Sequence, residues 1–192
     1  MGPLVVGIVG SPRKNMNTDA IVSAALEGAR SLGARTEKIY LDDLRIAPCR
    51  ACGEFPRDRY CSVQDDMEVV YRALDESDAV VLGTPAYFGC VSAQVKAMID
   101  RSNCLSEMLP TADGGATFVT RVAKGKRGLF VWVADLSTDV SHALATVSLW
   151  CSSANIDLVD CIAFTGSERP GAAEARRAVL GRAFEAGRKL AG

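Results

Sequence analysis

Apolar residues fall in five short runs along the chain, and longer stretches with helical spacing separate these runs. The runs have the length of strands, the second is the most polar, and they cover residues 4–9, 36–41, 79–83, 128–133 and 157–164. The stretches between and after them predict helices over residues 19–31, 66–75, 92–104, 139–154 and 172–190. This alternation predicts one α/β domain over residues 1–192, with a five-stranded parallel sheet in the order 2-1-3-4-5 and helices on both faces.

The predicted strand order indicates which loops to inspect for a ligand site. Open parallel sheets bind ligands beyond the carboxyl ends of the strands at which the order reverses, here the first and the third. The loops after residues 9 and 83 are therefore the candidates. Residues 112–126, which contain two adjacent glycines, read as an exposed loop.

The segment after the first strand has the chemistry of a phosphate site. Gly10 permits a sharp turn, and Asn17 or Thr18 is placed to cap the helix that follows. The free amides and the dipole of such a helix start favour an anion. Arg13 adds a planar cation, and Ser11 and Thr18 add hydroxyl groups. An ordinary capped helix has the same composition, so the interpretation depends on support from elsewhere in the chain.

The spacing of the glycines argues against two better-known phosphate loops. Gly7 and Gly10 lack the third glycine that a dinucleotide-binding loop needs, and no Gly-Lys-Ser/Thr motif is present. Asp42 or Asp43 could imitate a ribose-binding acid, but a mononucleotide is the better fit.

The loop after the third strand suits a flat aromatic ligand. Pro85 stiffens the exit from the strand, Tyr87 and Phe88 can lie along a ring system, and Gly89 admits the backbone close to it. Ser92 is placed to cap the next helix. An isolated Tyr-Phe pair is more often a core or interface pair. Beside the first loop, it predicts a site for a phosphate joined to a conjugated ring.

Composition and charge exclude several classes of partner. The net charge of −1 and the pI near 5.9 come with scattered basic residues, so we expect no nucleic-acid partner. No apolar run approaches the roughly 20 residues that span a bilayer, so we expect no membrane segment and a cytoplasmic protein. Seven cysteines, three of them between Cys49 and Cys61, suit a reducing compartment.

Taken in order, these motifs resemble the flavodoxin-like NADPH-dependent FMN reductase family, including its iron-sulfur flavoproteins. The resemblance is best over the first 100 or so residues. The motifs that carry it are Gly10-Ser11-Pro12-Arg13 with Asn17-Thr18, Tyr40-Leu41-Asp42-Asp43-Leu44, Cys49-x-x-Cys52, Asp65-Asp66-Met67, Thr84-Pro85-Ala86-Tyr87-Phe88-Gly89, Ser92-Ala93-Gln94-Val95-Lys96 and Asp100-Arg101.

The resemblance implies a three-layer flavodoxin-like fold, bound FMN, NAD(P)H as co-substrate, and a homodimer or homotetramer. It also implies the residues at the cofactor. The FMN phosphate would be held by Ser11, Arg13, Asn17 and Thr18, and the isoalloxazine would be lined by Pro85, Ala86, Tyr87, Phe88 and Gly89.

Two segments depart from the family's pattern. Iron-sulfur members carry C-x-x-C-x-x-C and a fourth cysteine, whereas this chain has Cys49, Cys52 and Cys61, with Phe55 where the third is expected. The ligand set for a [4Fe-4S] cluster or a zinc ion is therefore incomplete, and we expect no metal but free or disulfide-paired thiols. Residues 134–139 stand where many relatives have a glycine-rich loop, so their contacts with the flavin stay open.

The remaining cysteines and the single histidine have less specific roles. Cys90 borders the aromatic loop and is a candidate to exchange electrons with the flavin, although a small buried filler is the simpler interpretation. Cys104, Cys151 and Cys161 fall in helix or strand patterns and are expected in the core. His142 is expected away from both loops, as a surface or capping residue. No catalytic side chain is required if a flavin carries the chemistry.

Three functions follow as hypotheses. The first is an enzyme that uses NAD(P)H to reduce FMN, a quinone, an azo compound or a similar small acceptor through bound FMN. The second is an electron-transfer flavoprotein that oxidises NAD(P)H poorly and uses residues 49–61 as a relay or docking surface. The third is an interaction module that has lost its flavin.

Overall fold

The structure of the protein is a computed structural model that describes residues 2–54, 56, 58–136, 139–165 and 172–192. Helices and strands alternate along most of the chain. In chain order they are β1 (Leu4–Val9), α1 (Asn17–Arg30), β2 (Arg35–Tyr40), α2 (Met67–Glu76), β3 (Ala79–Pro85), α3 (Ala93–Arg101), β4 (Ser106–Pro110), β5 (Ala116–Thr120), β6 (Lys126–Ala134), α4 (Ser141–Ser153), β7 (Ile156–Thr165) and α5 (Ala172–Ala191). Short 3₁₀ turns follow β2 at Leu41–Asp43 and α3 at Ser102–Leu105.

Five parallel strands form the central sheet in the order β2-β1-β3-β6-β7. Because β6 and β7 are the fourth and fifth strands of this sheet, the predicted α/β class and the order 2-1-3-4-5 are confirmed. The order reverses between β1 and β3, so the loops after these two strands leave from the same edge.

Strands β4 and β5 form a separate antiparallel hairpin. The prediction of a plain loop over residues 112–126 was therefore wrong. The two glycines belong to the hairpin connection, where Gly114 has a φ of +83°, and the β-prone Ala-Thr-Phe-Val-Thr segment after them pairs with residues 106–110. The predicted helix over residues 92–104 likewise ends at Arg101, and its last turn is 3₁₀.

Two apolar layers cover the sheet. Helices α2, α3 and α4 pack on one face against Val6, Ile8 and their neighbours, and α1 and α5 pack on the other face against Val5 and Val9. All six residues of β1 are buried, since an inner strand of a doubly covered sheet loses water on both sides. This explains why β1 reads as a continuous apolar run, whereas β2, at the sheet edge, keeps exposed polar positions.

Candidate functional site

The loops after β1 and β3 are tied together at the carboxyl edge of the sheet. Ser92 Oγ donates a 2.7 Å hydrogen bond to the Gly10 carbonyl oxygen, and the Gly10 amide donates to the Gly83 carbonyl oxygen at 2.7 Å. Ser92 is also the N-cap of α3, because its Oγ accepts from the Val95 amide at 3.3 Å, and the capping prediction is confirmed. A Cβ on Gly10 would lie 2.1 Å from Val95 Cγ2, so only glycine fits this approach.

The loop between β1 and α1 is largely open to solvent. Pro12, Arg13, Lys14, Asn15 and Met16 are exposed, while the predicted phosphate ligands are divided between surface and interior. The side chain of Asn17 is half-buried, and those of Ser11 and Thr18 are 4% and 3% exposed. A ligand at this loop would therefore meet Arg13 and Asn17 before it met the two hydroxyl groups.

The prediction that Asn17 or Thr18 caps α1 was wrong. Asn15 has a left-handed φ of +62°, the helix already begins at Asn17, and its N-cap is Met16. Met16 makes no side-chain hydrogen bond to the helix start, since its thioether is at best a weak acceptor. The N-cap side chain thus occupies none of the first amides of α1, which suits an anion site.

A buried carboxylate that the sequence analysis overlooked lies directly behind this loop. Asp19, 2% exposed, accepts from the Asn15 amide at 2.7 Å and the Tyr40 hydroxyl at 3.0 Å through Oδ2. Its Oδ1 accepts from Lys38 Nζ at 2.8 Å and from Ser23 Oγ at 3.2 Å. Burial raises the pKa of Asp19, but the hydrogen bonds from Lys38, the Asn15 amide and Tyr40 outweigh it and leave that pKa below its usual value.

One signal in the sequence could have revealed this cluster. Lys38 and Tyr40 are two residues apart on β2, so both point to the sheet face that carries α1. An acidic residue in the first turn of that helix is their natural partner, and Asp19 is the only one there.

A cleft of 370 Å³ lies beyond the ends of β3 and β6. Its lining combines apolar and polar side chains from both strand ends and the start of α4, namely Ala86, Gly89, Trp132, Ala134, Asp135, Leu136, Asp139 and His142. The indole N–H of Trp132 is buried and has no hydrogen-bond partner in the described part of the chain.

The expectation that His142 lies away from both loops was wrong. It lines the same cleft as Ala86 and Gly89 of the aromatic loop. The reason is tertiary: β6 pairs with β3, so the start of α4, which follows β6, comes to lie beside the loop after β3. Residues 137 and 138, in the segment 134–139 whose contacts with the flavin the sequence leaves open, lie outside the described residues.

The aromatic loop forms a tight turn. Tyr87 and Cys90 exchange two backbone hydrogen bonds of 3.0 Å, and the central residues Phe88 and Gly89 have φ of +51° and +72°. Two successive left-handed residues are typical of a type I′ turn, and for a phenylalanine the left-handed conformation costs about 1–2 kcal/mol. The phenyl ring of Phe88 is fully exposed, so it is no core residue. Cys90 is half-buried and packs against the core, which suits its interpretation as a filler.

Residues 47–65 carry three cysteines, and two arginines hold the segment. Cys49 and Cys52 are exposed, Cys61 is half-buried, and all seven cysteines of the chain are free. Arg101, 2% exposed, pairs with Asp65 and donates to the Ala47 and Val63 carbonyl oxygens at 3.0 and 3.2 Å. Arg121 reaches the Pro56 carbonyl oxygen at 2.7 Å. Phe55, which stands where a third cluster cysteine is expected, lies outside the described residues.

The three cysteines of this segment do not form a metal-binding group in the described part of the chain. Among residues 2–54, 56, 58–136, 139–165 and 172–192, no group of three or more His, Cys, Asp or Glu side chains is arranged to hold a metal ion. Instead, the Cys52 thiol lies 3.5 Å from Ser62 Oγ, and this hydrogen bond lowers the pKa of Cys52. Of the cysteines expected in the core, Cys104 and Cys151 are buried and Cys161 is half-buried.

No helix in the described ranges is both long and apolar enough to cross a membrane.

Comparison with known proteins identifies a family for most of the chain. The family model for NADPH-dependent FMN reductase matches residues 3–155, a range that includes both loops. An iron-sulfur flavoprotein of Methanosarcina thermophila is 39% identical over 98 residues, which are 51% of this chain and 51% of that protein. A second iron-sulfur flavoprotein, from Methanocaldococcus jannaschii, is 41% identical over 101 residues, 53% of this chain and 52% of its own. The matches thus span about half the length of these curated relatives.

Solved structures share the fold at low sequence identity. An azoreductase from Bacillus anthracis superimposes with a TM-score of 0.73 at 15% identity, over 97% of this chain and 99% of its own. An NAD(P)H:quinone oxidoreductase from Methanothermobacter marburgensis has a TM-score of 0.72 at 17% identity, over 99% of this chain and 100% of its own. At such identities the likeness establishes the flavodoxin-like fold alone.

Proposed function

The chain belongs to the NADPH-dependent FMN reductase family, and from this premise we propose that it binds FMN and uses NAD(P)H to reduce flavin, a quinone or a similar small acceptor. One observation carries the proposal. An uncapped helix start and an aromatic-rimmed cleft lie at the same sheet edge, where Ser92 and Gly10 tie them together. FMN joins a phosphate to a tricyclic ring and so has the chemistry of both.

The loop after β1 would hold the phosphate. Arg13 and Asn17, whose side chains reach solvent, would contact the phosphate oxygens directly. Ser11 and Thr18 are buried, so they would act mainly through the shape and the amides of the loop. The 3.2 Å hydrogen bond from the Arg13 amide to Ser11 Oγ supports this role, because it bends the loop around Ser11.

The loop after β3 would line the isoalloxazine. Its members at the predicted ring site are Pro85, Ala86, Tyr87, Phe88 and Gly89, and the cleft adds Trp132, Leu136 and His142. Bound FMN would supply two-electron redox chemistry through its ring. The task of these residues is to position the ring, exclude water from its buried face and leave the other face open to a donor or an acceptor.

NAD(P)H and a small acceptor are the proposed reaction partners. The family consists of NADPH-dependent FMN reductases, and one protein with the same fold is an NAD(P)H:quinone oxidoreductase. The side chains of Tyr87 and Phe88 are exposed and belong to the same loop as the cleft residues Ala86 and Gly89. They would offer a stacking surface for a flat nicotinamide or quinone ring.

A homo-oligomer is part of the proposal. The hairpin of β4 and β5 exposes four large apolar side chains, those of Met108, Leu109, Phe118 and Val119. A second copy of the chain would remove this surface from water. Sedimentation equilibrium of the purified protein tests this point, and a monomer at micromolar concentration would contradict it.

An electron-transfer flavoprotein is the second candidate. The two relatives described above favour it, since both are iron-sulfur flavoproteins. A [4Fe-4S] cluster needs four thiolates and residues 49–61 supply three, Cys49, Cys52 and Cys61, which weighs against a cluster in this chain.

Cofactor analysis of the purified protein, followed by steady-state kinetics, tests the proposal. We expect a yellow protein that releases FMN on denaturation, contains no stoichiometric iron or acid-labile sulfide, and oxidises NADPH or NADH rapidly when a quinone or free FMN is added. Bound FMN with negligible NAD(P)H oxidation would favour the electron-transfer alternative. A colourless protein that takes up no FMN would overturn both.

A further inference from the structure

A pair of opposite charges lies immediately behind the proposed phosphate loop. Asp19 is the third residue of α1, and Lys38 Nζ lies 2.8 Å from its Oδ1. The side chain of Asp19 is 2% exposed and that of Lys38 is 29% exposed. Lys38 also donates to Ser23 Oγ at 2.9 Å, so its ammonium group is held on the α1 side of β2.

Asp19 stabilises the conformation of the loop. Its Oδ2 accepts the amide of Asn15, the residue whose left-handed backbone turns the chain into α1. The carboxylate therefore fixes the loop conformation at the point where the first helical amides are presented. Tyr40 supports the same oxygen through its hydroxyl group at 3.0 Å.

The same carboxylate also disfavours the binding of an anion at this helix end. A negative side chain in the first turn of a helix interacts with the same positive helix end that would attract a phosphate. Two anions at one helix end repel each other, and burial strengthens this repulsion. Lys38 offsets the charge of Asp19, whereas the other lysine near the loop, Lys14, pairs with Asp43 at 2.7 Å.

We propose that the Asp19–Lys38 pair makes the flavin site selective for the phosphorylated cofactor over riboflavin. Asp19 positions the loop, and Lys38 keeps the site free of net negative charge so that the phosphate group can bind. Both are positioning residues. Asp19 acts through the conformation of the loop, and Lys38 acts by offsetting the charge of Asp19. The inference rests on the proposed function, because it concerns the site at which FMN is expected to bind.

The test compares FMN with riboflavin, which lacks the phosphate. Dissociation constants are measured by quenching of flavin fluorescence for the flavin-free wild-type protein and for Lys38→Met, Lys38→Arg and the double variant Asp19→Asn/Lys38→Met. Lys124→Met is the matched control, since Lys124 pairs with Asp78 at 2.8 Å at the opposite edge of the sheet and its loss changes the net charge equally. Circular dichroism and thermal unfolding confirm that each variant is folded, and Lys38→Gln replaces Lys38→Met if the latter is not.

We expect Lys38→Met to raise the Kd for FMN about tenfold, the effect of one uncompensated charge near a surface site, and to change the Kd for riboflavin less than twofold. The Kd values of Lys38→Arg and Lys124→Met for FMN should stay near that of the wild type. The double variant should regain most of the FMN affinity, because it leaves neither charge.

Three results would overturn the inference while leaving the proposed function intact. They are an unchanged Kd of Lys38→Met for FMN, an equal loss for FMN and riboflavin, and a double variant that binds FMN as weakly as Lys38→Met. A wild-type protein that binds neither flavin would overturn the proposed function itself and this inference with it.

Discussion

The hydroxyl group of Ser92 donates a 2.7 Å hydrogen bond to the carbonyl oxygen of Gly10, although the two residues are 82 positions apart in the chain. Ser92 is fully buried and caps α3, and Gly10 directly follows β1, the strand that leads to α1. One side chain therefore caps a helix and joins the two loops at which the cofactor is expected.

Replacement of Ser92 by alanine should lower the free energy of unfolding by about 1–3 kcal/mol, since it removes an N-cap and leaves a buried carbonyl without its donor. Urea denaturation measures the loss. Ser152→Ala is the control: the Ser152 hydroxyl bonds an i−4 carbonyl oxygen on the exposed side of α4, and its loss should cost less than about 0.5 kcal/mol. Equal effects of the two substitutions would contradict the role assigned to Ser92.

Arg13→Ala should weaken FMN binding by about 1.5–3 kcal/mol, the scale of a hydrogen bond to a charged group. The exposed Arg13 side chain has no part in the apolar core, so stability should be unchanged. Isothermal titration with FMN measures the effect. The control Arg182→Ala removes an exposed arginine of α5 that pairs with Asp160 at 2.9 Å, and it should leave FMN affinity unaltered. Unchanged affinity in Arg13→Ala would remove Arg13 from the site.

Arg101→Met should destabilise the protein by about 3–5 kcal/mol, because it leaves the Asp65 carboxylate without its buried partner. Lys96→Met, which breaks an exposed ion pair on the same helix, should cost at most about 1 kcal/mol. Thermal unfolding of the two variants provides the comparison, and equal shifts in Tm would count against a special role for Arg101.

The same ion pair should give a definite dependence on pH. Burial raises the pKa of Asp65, but the hydrogen bonds from Arg101 and from the Ala47 and Met67 amides outweigh it and lower that pKa in the folded protein. The stabilisation is therefore present above the usual carboxyl pKa of 3.8 and is lost as the pH falls through the lowered value. In urea melts at acid pH, Asp65→Asn should show a weaker loss of stability than the wild type.

Lys126 should give a dependence of the same sign at alkaline pH, but here the rise comes from relief of an unfavourable buried charge. Burial of its side chain, 5% exposed, lowers its pKa from 10.5 to about 8 in the folded protein. Between these two values the unfolded chain binds more protons than the folded one, so this residue makes stability rise with pH. From about pH 7.5 to about pH 9.5, the wild type should gain about 1–2 kcal/mol relative to Lys126→Met. A difference between the two proteins that is constant over this range would refute the shift.

Strand order and the positions of the two loops could be read from the sequence for a simple reason. Strands of a doubly covered parallel sheet are buried on both faces, and therefore leave continuous apolar runs such as that of β1. The hairpin of β4 and β5 was not predicted, because its strands are short and exposed. No alternation of buried and exposed positions marks them in the sequence.

The details of the candidate site were harder to predict from the sequence. The sequence correctly predicted Ser92 as the cap of α3, because local backbone preferences suffice for that inference. It misplaced the start of α1, because the left-handed turn at Asn15 sets where that helix begins. The placement of His142 beside Gly89 could not be foreseen either, since it follows from the pairing of β6 with β3.

By itself, the sequence determined the α/β sheet, its order and the position of the two loops for which a phosphate and an aromatic ring are proposed, because these depend on local pattern and chain connectivity. Only the tertiary structure decided that Asp19 meets Lys38 and Tyr40, that Arg101 meets Asp65, and that His142 joins the cleft. The contacts of Asp19 and of Arg101 join residues 19 or more positions apart, and such pairings arise when packed elements bring distant side chains together.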